Sequence, residues 1–266
     1  MPLITAALLP HSPLLIPEIG RANYDFLAKT VAAYGQIAAA IKKGEIDTII
    51  IISPHSSAQT DSFILNVAPT MEIDLKDFGF IPPKTIFTGD ALLADQIKDS
   101  LRPEIPLQLI SEDLLDHGSA IPLYLLKDAR PNLKIIVISP ATGLSLEEQI
   151  NFGQKLQTVL IKNEKKIAVI ASGDLSHRLK KKSPGGYSPK GAKFDNKLIE
   201  YLSDPLTATD NILKMDQKLI SDAGECGLKS LVILLGLLSG RVWQPEILAY
   251  QTDFGVGYLS LDFKII

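Results

Sequence analysis

The sequence predicts an α/β domain: a central, mostly parallel or mixed sheet with helices on both faces. Three observations predict it. Thr48–Ile52, Lys134–Ser139 and Ile167–Ser172 are short runs dominated by Ile, Val and Ala, the composition of strands buried on both faces. Stretches of helical period lie between such runs, and strands alternating with helices produce a sheet covered on two sides. The chain has 266 residues, 46% of them apolar, which suits one domain spanning 1–266 with a sizeable core.

Leu3–Leu9 reads as the first buried strand, followed by a loop holding Pro10, His11 and Pro13. Over Arg21–Lys42, Phe26, Leu27, Val31, Tyr34, Ile37 and Ile41 form an apolar stripe, and Gly44 marks the helix end. Thr48–Ile52 ends at Ser53-Pro54-His55-Ser56-Ser57, repeating the first pattern of strand, proline, histidine and serine. Ser62–Val67 is a further strand, and 70–88, rich in Pro, Asp and Phe, is an excursion over the surface. Asp90 caps a helix running to about Leu101. Leu107–Ser111 leads into Asp116-His117-Gly118-Ser119, with a helix over Ala120–Leu126. After the strand Lys134–Ser139, Leu146–Ile161 is an amphipathic helix, and the strand Ile167–Ser172 ends in Gly173-Asp174-Leu175-Ser176-His177. A basic, Gly- and Pro-rich loop, Arg178–Pro189, precedes helices over 189–203 and 205–216. Ala223-Gly224-Glu225-Cys226-Gly227 opens the apolar helix Leu228–Leu238, and Trp243–Thr252 and Gly257–Phe263 are closing strands.

A net charge of -3 and a pI of about 5.8 give no support to a nucleic-acid or anionic-membrane partner. Cys226 is the only cysteine, which excludes an internal disulfide and a Cys-rich zinc site. No apolar run reaches the ~18 residues of a membrane span. The N-terminus lacks the basic flank and cleavage region of a secretory signal, so a reducing cytoplasm is the expected setting.

The chain has four histidines: His11, His55, His117 and His177. Sites in open α/β sheets gather beyond the carboxyl ends of the strands, where His11, His55 and His177 fall. Two histidines and a carboxylate, with open positions opposite, form the usual site of non-haem Fe(II). His11 and His55, on matching strand-end loops, are the natural imidazoles. Glu225 is the carboxylate candidate, because a charge at the start of a buried helix needs a metal or helix N–H groups to offset its burial. Cys226 is a rival ligand, as a thiolate suits soft metals. Blander readings stand beside each: a lone strand-end histidine is more often structural, a glutamate there is usually a cap, and a free cysteine is most often a small buried apolar residue. Ser172, Asp174 and His177 contain the elements of a hydrolase triad but lie too close in sequence to assign its roles. Gly186–Lys193 misses the ending of a phosphate loop, and Lys180-Lys181-Lys182 reads as a solvated loop.

Taken together, Pro10-His11-Ser12-Pro13, Ser53-Pro54-His55, Asp116-His117-Gly118 with Pro122-Leu123, Gly173-Asp174-Leu175-Ser176-His177, Gly224-Glu225 and Phe254-Gly255-Val256-Gly257-Tyr258 resemble the class III extradiol ring-cleavage dioxygenases. The resemblance spans nearly the whole chain. It implies His11, His55 and Glu225 as Fe(II) ligands, His177 as the acid/base beside the substrate and His117 as a second active-site histidine. The implied reaction inserts O2 into a small aromatic diol of catechol type, next to the hydroxyls. The short chain is closer to the stand-alone branch related to Memo-like proteins of the AmmeMemoRadiSam system, in which a Cys-Gly stands near the carboxylate position. Glu225 and Cys226 therefore both remain candidates. The alternative function is a Memo-like metal-binding or redox protein that acts with partners and without ring cleavage. A zinc-dependent hydrolase using the same pocket is a third. A homo-oligomer is compatible with all three.

Overall fold

A computed structural model describes residues 2–56 and 60–266, so Ser57 in the second histidine loop lies outside the described residues. In chain order the strands are β1 (Leu3–Leu9), β2 (Thr48–Ile52), β3 (Phe63–Asn66), β4 (Thr70–Ile73), β5 (Ile86–Gly89), β6 (Leu107–Ile110), β7 (Leu114–Leu115), β8 (Lys134–Ser139), β9 (Ile167–Ser172), β10 (Trp243–Gln251) and β11 (Tyr258–Ile265). The helices are α1 (Pro17–Gly20), α2 (Ala28–Gly44), α3 (Ala91–Leu101), α4 (His117–Leu126), α5 (Leu146–Leu160), α6 (Pro189–Leu202), α7 (Ala208–Leu213), α8 (Gln217–Ala223) and α9 (Leu228–Leu237).

One mixed sheet runs in the order β10-β11-β1-β9-β2-β8-β5-β4-β7. Its centre, β1-β9-β2-β8, is parallel throughout. β11 runs antiparallel to β1 and is itself paired with β10. The far edge of β8 is divided: its first residues pair with β5 in parallel, and Val137–Ser139 pair with β3 in antiparallel fashion. The sheet is thus mixed around a parallel core.

The continuous apolar runs behave as their composition requires. β2 and β9 are buried at every position, and alternate residues feed two cores. Ile50, Ile52, Ile136, Ile138, Val169 and Ala171 pack on one face, with residues of α5, α6 and α9. Ile49, Ile51, Ile135, Val137, Ala168 and Ile170 pack on the other, with residues of α2 and α4. Ser145 begins α5 with a reciprocal capping box to Glu148, and Asp90 caps α3 through the Leu93 N–H.

Several local expectations are revised. The helix expected from Arg21 begins at Ala28, because Arg21–Leu27 winds as 3-10 turns after the prolines of the first loop. Gly44 is the last residue of α2, and Glu45 takes the left-handed conformation that follows it (φ 52°). The surface excursion 70–88 contains an antiparallel pairing, β4 with β5. α4 begins at His117, with Asp116 as its cap, so His117 stands in a first helical turn rather than a loop. Only Ala208–Leu213 of 205–216 is helical, and Asp216 caps a separate helix, α8.

Candidate metal centre

The sheet order brings the histidine loops together. β9 lies between β1 and β2, and all three point the same way. Neighbouring strands are about 4.8 Å apart, so the loops carrying His11 and His55 flank the end of β9. Over it the two Nε2 atoms stand 3.1 Å apart. The Tyr34 hydroxyl of α2 pins the first loop by donating to the Pro10 carbonyl at 2.6 Å. Ser53 fixes the second: its hydroxyl donates to Asp116 at 2.5 Å and accepts from the His55 N–H at 3.3 Å.

The third donor comes from the far end of the chain. At Gly173 an added Cβ would sit 2.1 Å from the Gly227 Cα, so two glycines are needed for these backbones to touch. The contact is laced by hydrogen bonds: the Cys226 and Gly227 N–H groups donate to the Asp174 carbonyl at 3.3 and 3.0 Å, and the Asp174 N–H donates to Cys226 Sγ at 3.4 Å. Cys226 Sγ thereby stands 3.5 Å from His11 Nε2 and 3.8 Å from His177 Nε2. Donor atoms of His11, His55 and Cys226 all lie within 4.8 Å of one another. In a tetrahedral site with bonds of about 2.0–2.3 Å, donors stand roughly 3.3–3.8 Å apart, so this set fits a transition metal with small adjustments.

Electrostatics favour neutral imidazoles. Burial lowers the pKa of His11, against the pull of the Asp174 carboxylate. Burial, aided by the adjoining His11 and His117 rings, takes His55 down to about 3. Burial also lowers His117, opposed by Asp116 and Asp174. Neutral imidazole is the form that ligates metals. Burial and the Asp174 charge push the Cys226 thiol well above its usual range, so a metal binding there would have to displace its proton. Burial alone would raise Asp174, but the His11 and His177 rings and the His11 N–H, bonded at 3.1 Å, hold it below the usual carboxylate range.

The remaining candidates fall in different places. His117 stacks on His55 with ring centroids 4.2 Å apart, and the Phe78 ring meets His117 in a T-shaped arrangement with centroids 5.6 Å apart. Gly118 permits this, since a Cβ there would meet Ser53 Oγ at 2.5 Å and the His55 ring at 3.2 Å. His177 Nε2 is 3.8 Å from Asp174 Oδ2. Glu225 is not among the gathered donors. Its Oε2 accepts the Leu228 N–H at 2.6 Å, capping α9, and it lines a separate cavity of about 470 Å³ with Leu144, Gln217, Ile220 and Lys229. Burial raises its pKa to about 7. Both residues stand in the turn before α9, where the Glu225 carboxylate reaches forward to the Leu228 N–H and the Cys226 sulfur reaches back to the Asp174 N–H and His11, so the two part. The hydrolase-triad arrangement does not form: Ser172 Oγ meets His11 Nδ1 at 2.9 Å, not His177. Ser172 and Asp174 thus line the candidate site with partners the sequence did not reveal, although Asp174 belongs to the strand-end motif that announced His177 and Ser172 immediately precedes it.

Fold and site define the class: an α/β protein with a candidate transition-metal centre at the carboxyl edge of its parallel strands. Residues 5–260 match the family described as the catalytic LigB subunit of aromatic ring-opening dioxygenase. The chain belongs to that family, and so to the ring-opening dioxygenase superfamily. It is 34% identical to Protein CA_C1420 of Clostridium acetobutylicum over 261 residues, covering 94% of this chain and 55% of that one. The chain thus spans about half the length of that curated relative. Its fold is similar to that of the solved structure of uncharacterized protein JW3007 from Escherichia coli K12, with a TM-score of 0.68 and 19% identity over 98% of this chain and 99% of that one. Among the described residues, no helix is long and apolar enough to cross a membrane.

Proposed function

We propose that the chain is an Fe(II)-dependent extradiol dioxygenase that opens a catechol-type ring next to its hydroxyls, with O2 as oxidant. The observation that carries the reading is the meeting of two neutral imidazoles and a thiol, His11, His55 and Cys226, at the carboxyl edge of a sheet of this family. Those three residues would hold the ion, Cys226 filling the place for which Glu225 was the other candidate. When bound, a ferrous ion would orient diol and O2 side by side and buffer charge between them.

The neighbouring side chains supply the proton chemistry. His177 Nε2 lies within 4 Å of both Cys226 Sγ and the Asp174 carboxylate. It takes the phenolic proton, the Asp174 charge stabilises the imidazolium so formed, and the proton returns to product. His117, neutral and stacked on His55, holds the second hydroxyl, and Phe78 offers an aromatic edge to a flat ring.

The sulfur favours a second reading, a Memo-like metal-binding or redox protein acting with partners and without ring cleavage. A thiolate is softer and more electron-rich than a carboxylate and shifts metal preference accordingly. One experiment separates the two. The protein is reconstituted anaerobically with Fe(II), then given a panel of catechols and air. The dioxygenase reading expects a yellow semialdehyde product, abolished in His177→Ala with metal retained. Tight metal binding without colour from any diol rejects it in favour of the second.

A further inference from the structure

Pro122 stands in the interior of α4, where a proline supplies no N–H to the carbonyl four residues earlier. That carbonyl belongs to Gly118. It is not left bare: the Ser172 hydroxyl donates to it at 2.5 Å. Ser172 is fully buried at the end of β9, and its oxygen also lies 2.9 Å from His11 Nδ1. A carbonyl can only accept, and a serine has one hydroxyl proton. That proton is committed to Gly118, so toward His11 the serine oxygen offers a lone pair. In the neutral ring the hydrogen must then sit on Nδ1, which leaves Nε2 bare. Nε2 is the atom 3.1 Å from His55 Nε2 and 3.5 Å from Cys226 Sγ.

We infer that Ser172 is a positioning residue: through the Gly118 carbonyl that Pro122 leaves free, it holds the His11 proton on Nδ1 and keeps Nε2 unprotonated and aimed at the metal centre. The proline therefore has a chemical consequence one strand away. A helix proline frees an acceptor, the acceptor orients a hydroxyl, and the hydroxyl selects an imidazole tautomer. Metal-bound histidines characteristically donate their other N–H to an outer partner that fixes ring and tautomer. Here that partner is present and its own proton is already engaged. The inference rests on the metal reading for its purpose, but the tautomer itself can be read without metal.

The test uses the full chain labelled with 15N-histidine. In the metal-free protein at a pH where His11 is neutral, two-bond 15N–1H correlations identify which ring nitrogen carries the proton. The expected result is Nδ1–H with bare Nε2 on His11. Ser172→Ala should populate the Nε2–H form and weaken Zn(II) or Fe(II) binding, read by chelator competition, by about 10–100-fold. Ser172→Thr, which keeps the hydroxyl, should restore both readouts. Pro122→Ala supplies a competing N–H to Gly118 and should shift the tautomer in the same direction by less. An Nε2–H His11 in the wild type overturns the inference, as does a folded Ser172→Ala with unchanged tautomer and affinity. Should Ser172→Ala not fold, the wild-type tautomer and Pro122→Ala decide it. A wild type that binds no metal at His11, His55 and Cys226 defeats the metal reading separately, and the tautomer still decides the relay.

Discussion

Gly173→Ala should detach the sulfur from the candidate metal centre without touching any donor. The new Cβ would stand 2.1 Å from the Gly227 Cα and 3.1 and 3.2 Å from its N and C. Carbon atoms settle at about 3.5 Å or more, so the two backbones must part by about 1.4 Å, and no flexible side chain is available to yield instead. Cys226 precedes Gly227 and is bonded to the same Asp174 carbonyl. If its segment takes up the movement, the 3.5 Å separation from His11 Nε2 grows to nearly 5 Å, too wide for a shared metal with bonds of about 2.0–2.3 Å. Overpacking of this kind costs about 1–3 kcal/mol in stability, and an ångström of misplacement at a site costs about 100-fold in function. The assay is chelator competition for metal affinity, alongside a denaturant midpoint. Gly35→Ala is the control. Its Cβ would meet nothing within 4 Å in the middle of α2, and it should gain up to about 1 kcal/mol. Wild-type metal affinity and midpoint in Gly173→Ala would refute the argument that this glycine pair delivers Cys226.

Cys226→Ala should lose metal, whereas Glu225→Ala should keep it and lose about 1 kcal/mol of helix capping; metal analysis of the two purified variants decides, and the opposite pattern restores Glu225 as the ligand. Because burial holds the Cys226 thiol protonated, metal binding should release that proton, and affinity should rise about tenfold per pH unit through the neutral range; a flat profile by competition titration would exclude thiolate ligation. Asp195 is buried, bonded to the Ser176 N–H and the Tyr250 hydroxyl, and burial pushes it from 3.8 to about 6. Its neutral form is favoured by folding, so its contribution is complete below the unfolded value and is lost as pH rises through about 6. The unfolding free energy of the wild type, from denaturant titrations, should therefore fall relative to Asp195→Asn as pH rises through that window, by at most about 3 kcal/mol. Parallel curves would count against it.

The central strands were legible because burial on both faces leaves an unmistakable composition: Thr48–Ile52, Lys134–Ser139 and Ile167–Ser172 have the bounds their apolar runs suggest. The gathering of His11, His55 and His177 was legible in the same way, since each follows a strand. What could not be read was geometry that depends on distant backbone. Glu225 and Cys226 are equally plausible neighbours in sequence, and only the α9 entry and the Gly173–Gly227 contact separate them. Ser172 looked like a triad serine because its true partners, His11 and the Gly118 carbonyl, are 161 and 54 residues away. The short elements around 13–27, 70–89 and 205–223 escaped because prolines, caps and turns outweigh periodicity in segments of a few residues.

The place of β9 in the sheet governs the order in which this protein can be completed. His11 and His55 belong to the first quarter of the sequence, yet the strand that forms the floor between them begins at Ile167 and the sulfur follows at Cys226. A nascent chain made as far as residue 160 carries both imidazoles with a gap where β9 belongs. Closing that gap demands contacts of very long sequence separation, the slow kind. Under the proposed ligand set, metal loading would therefore be a late event, one that seals a finished sheet rather than seeding it.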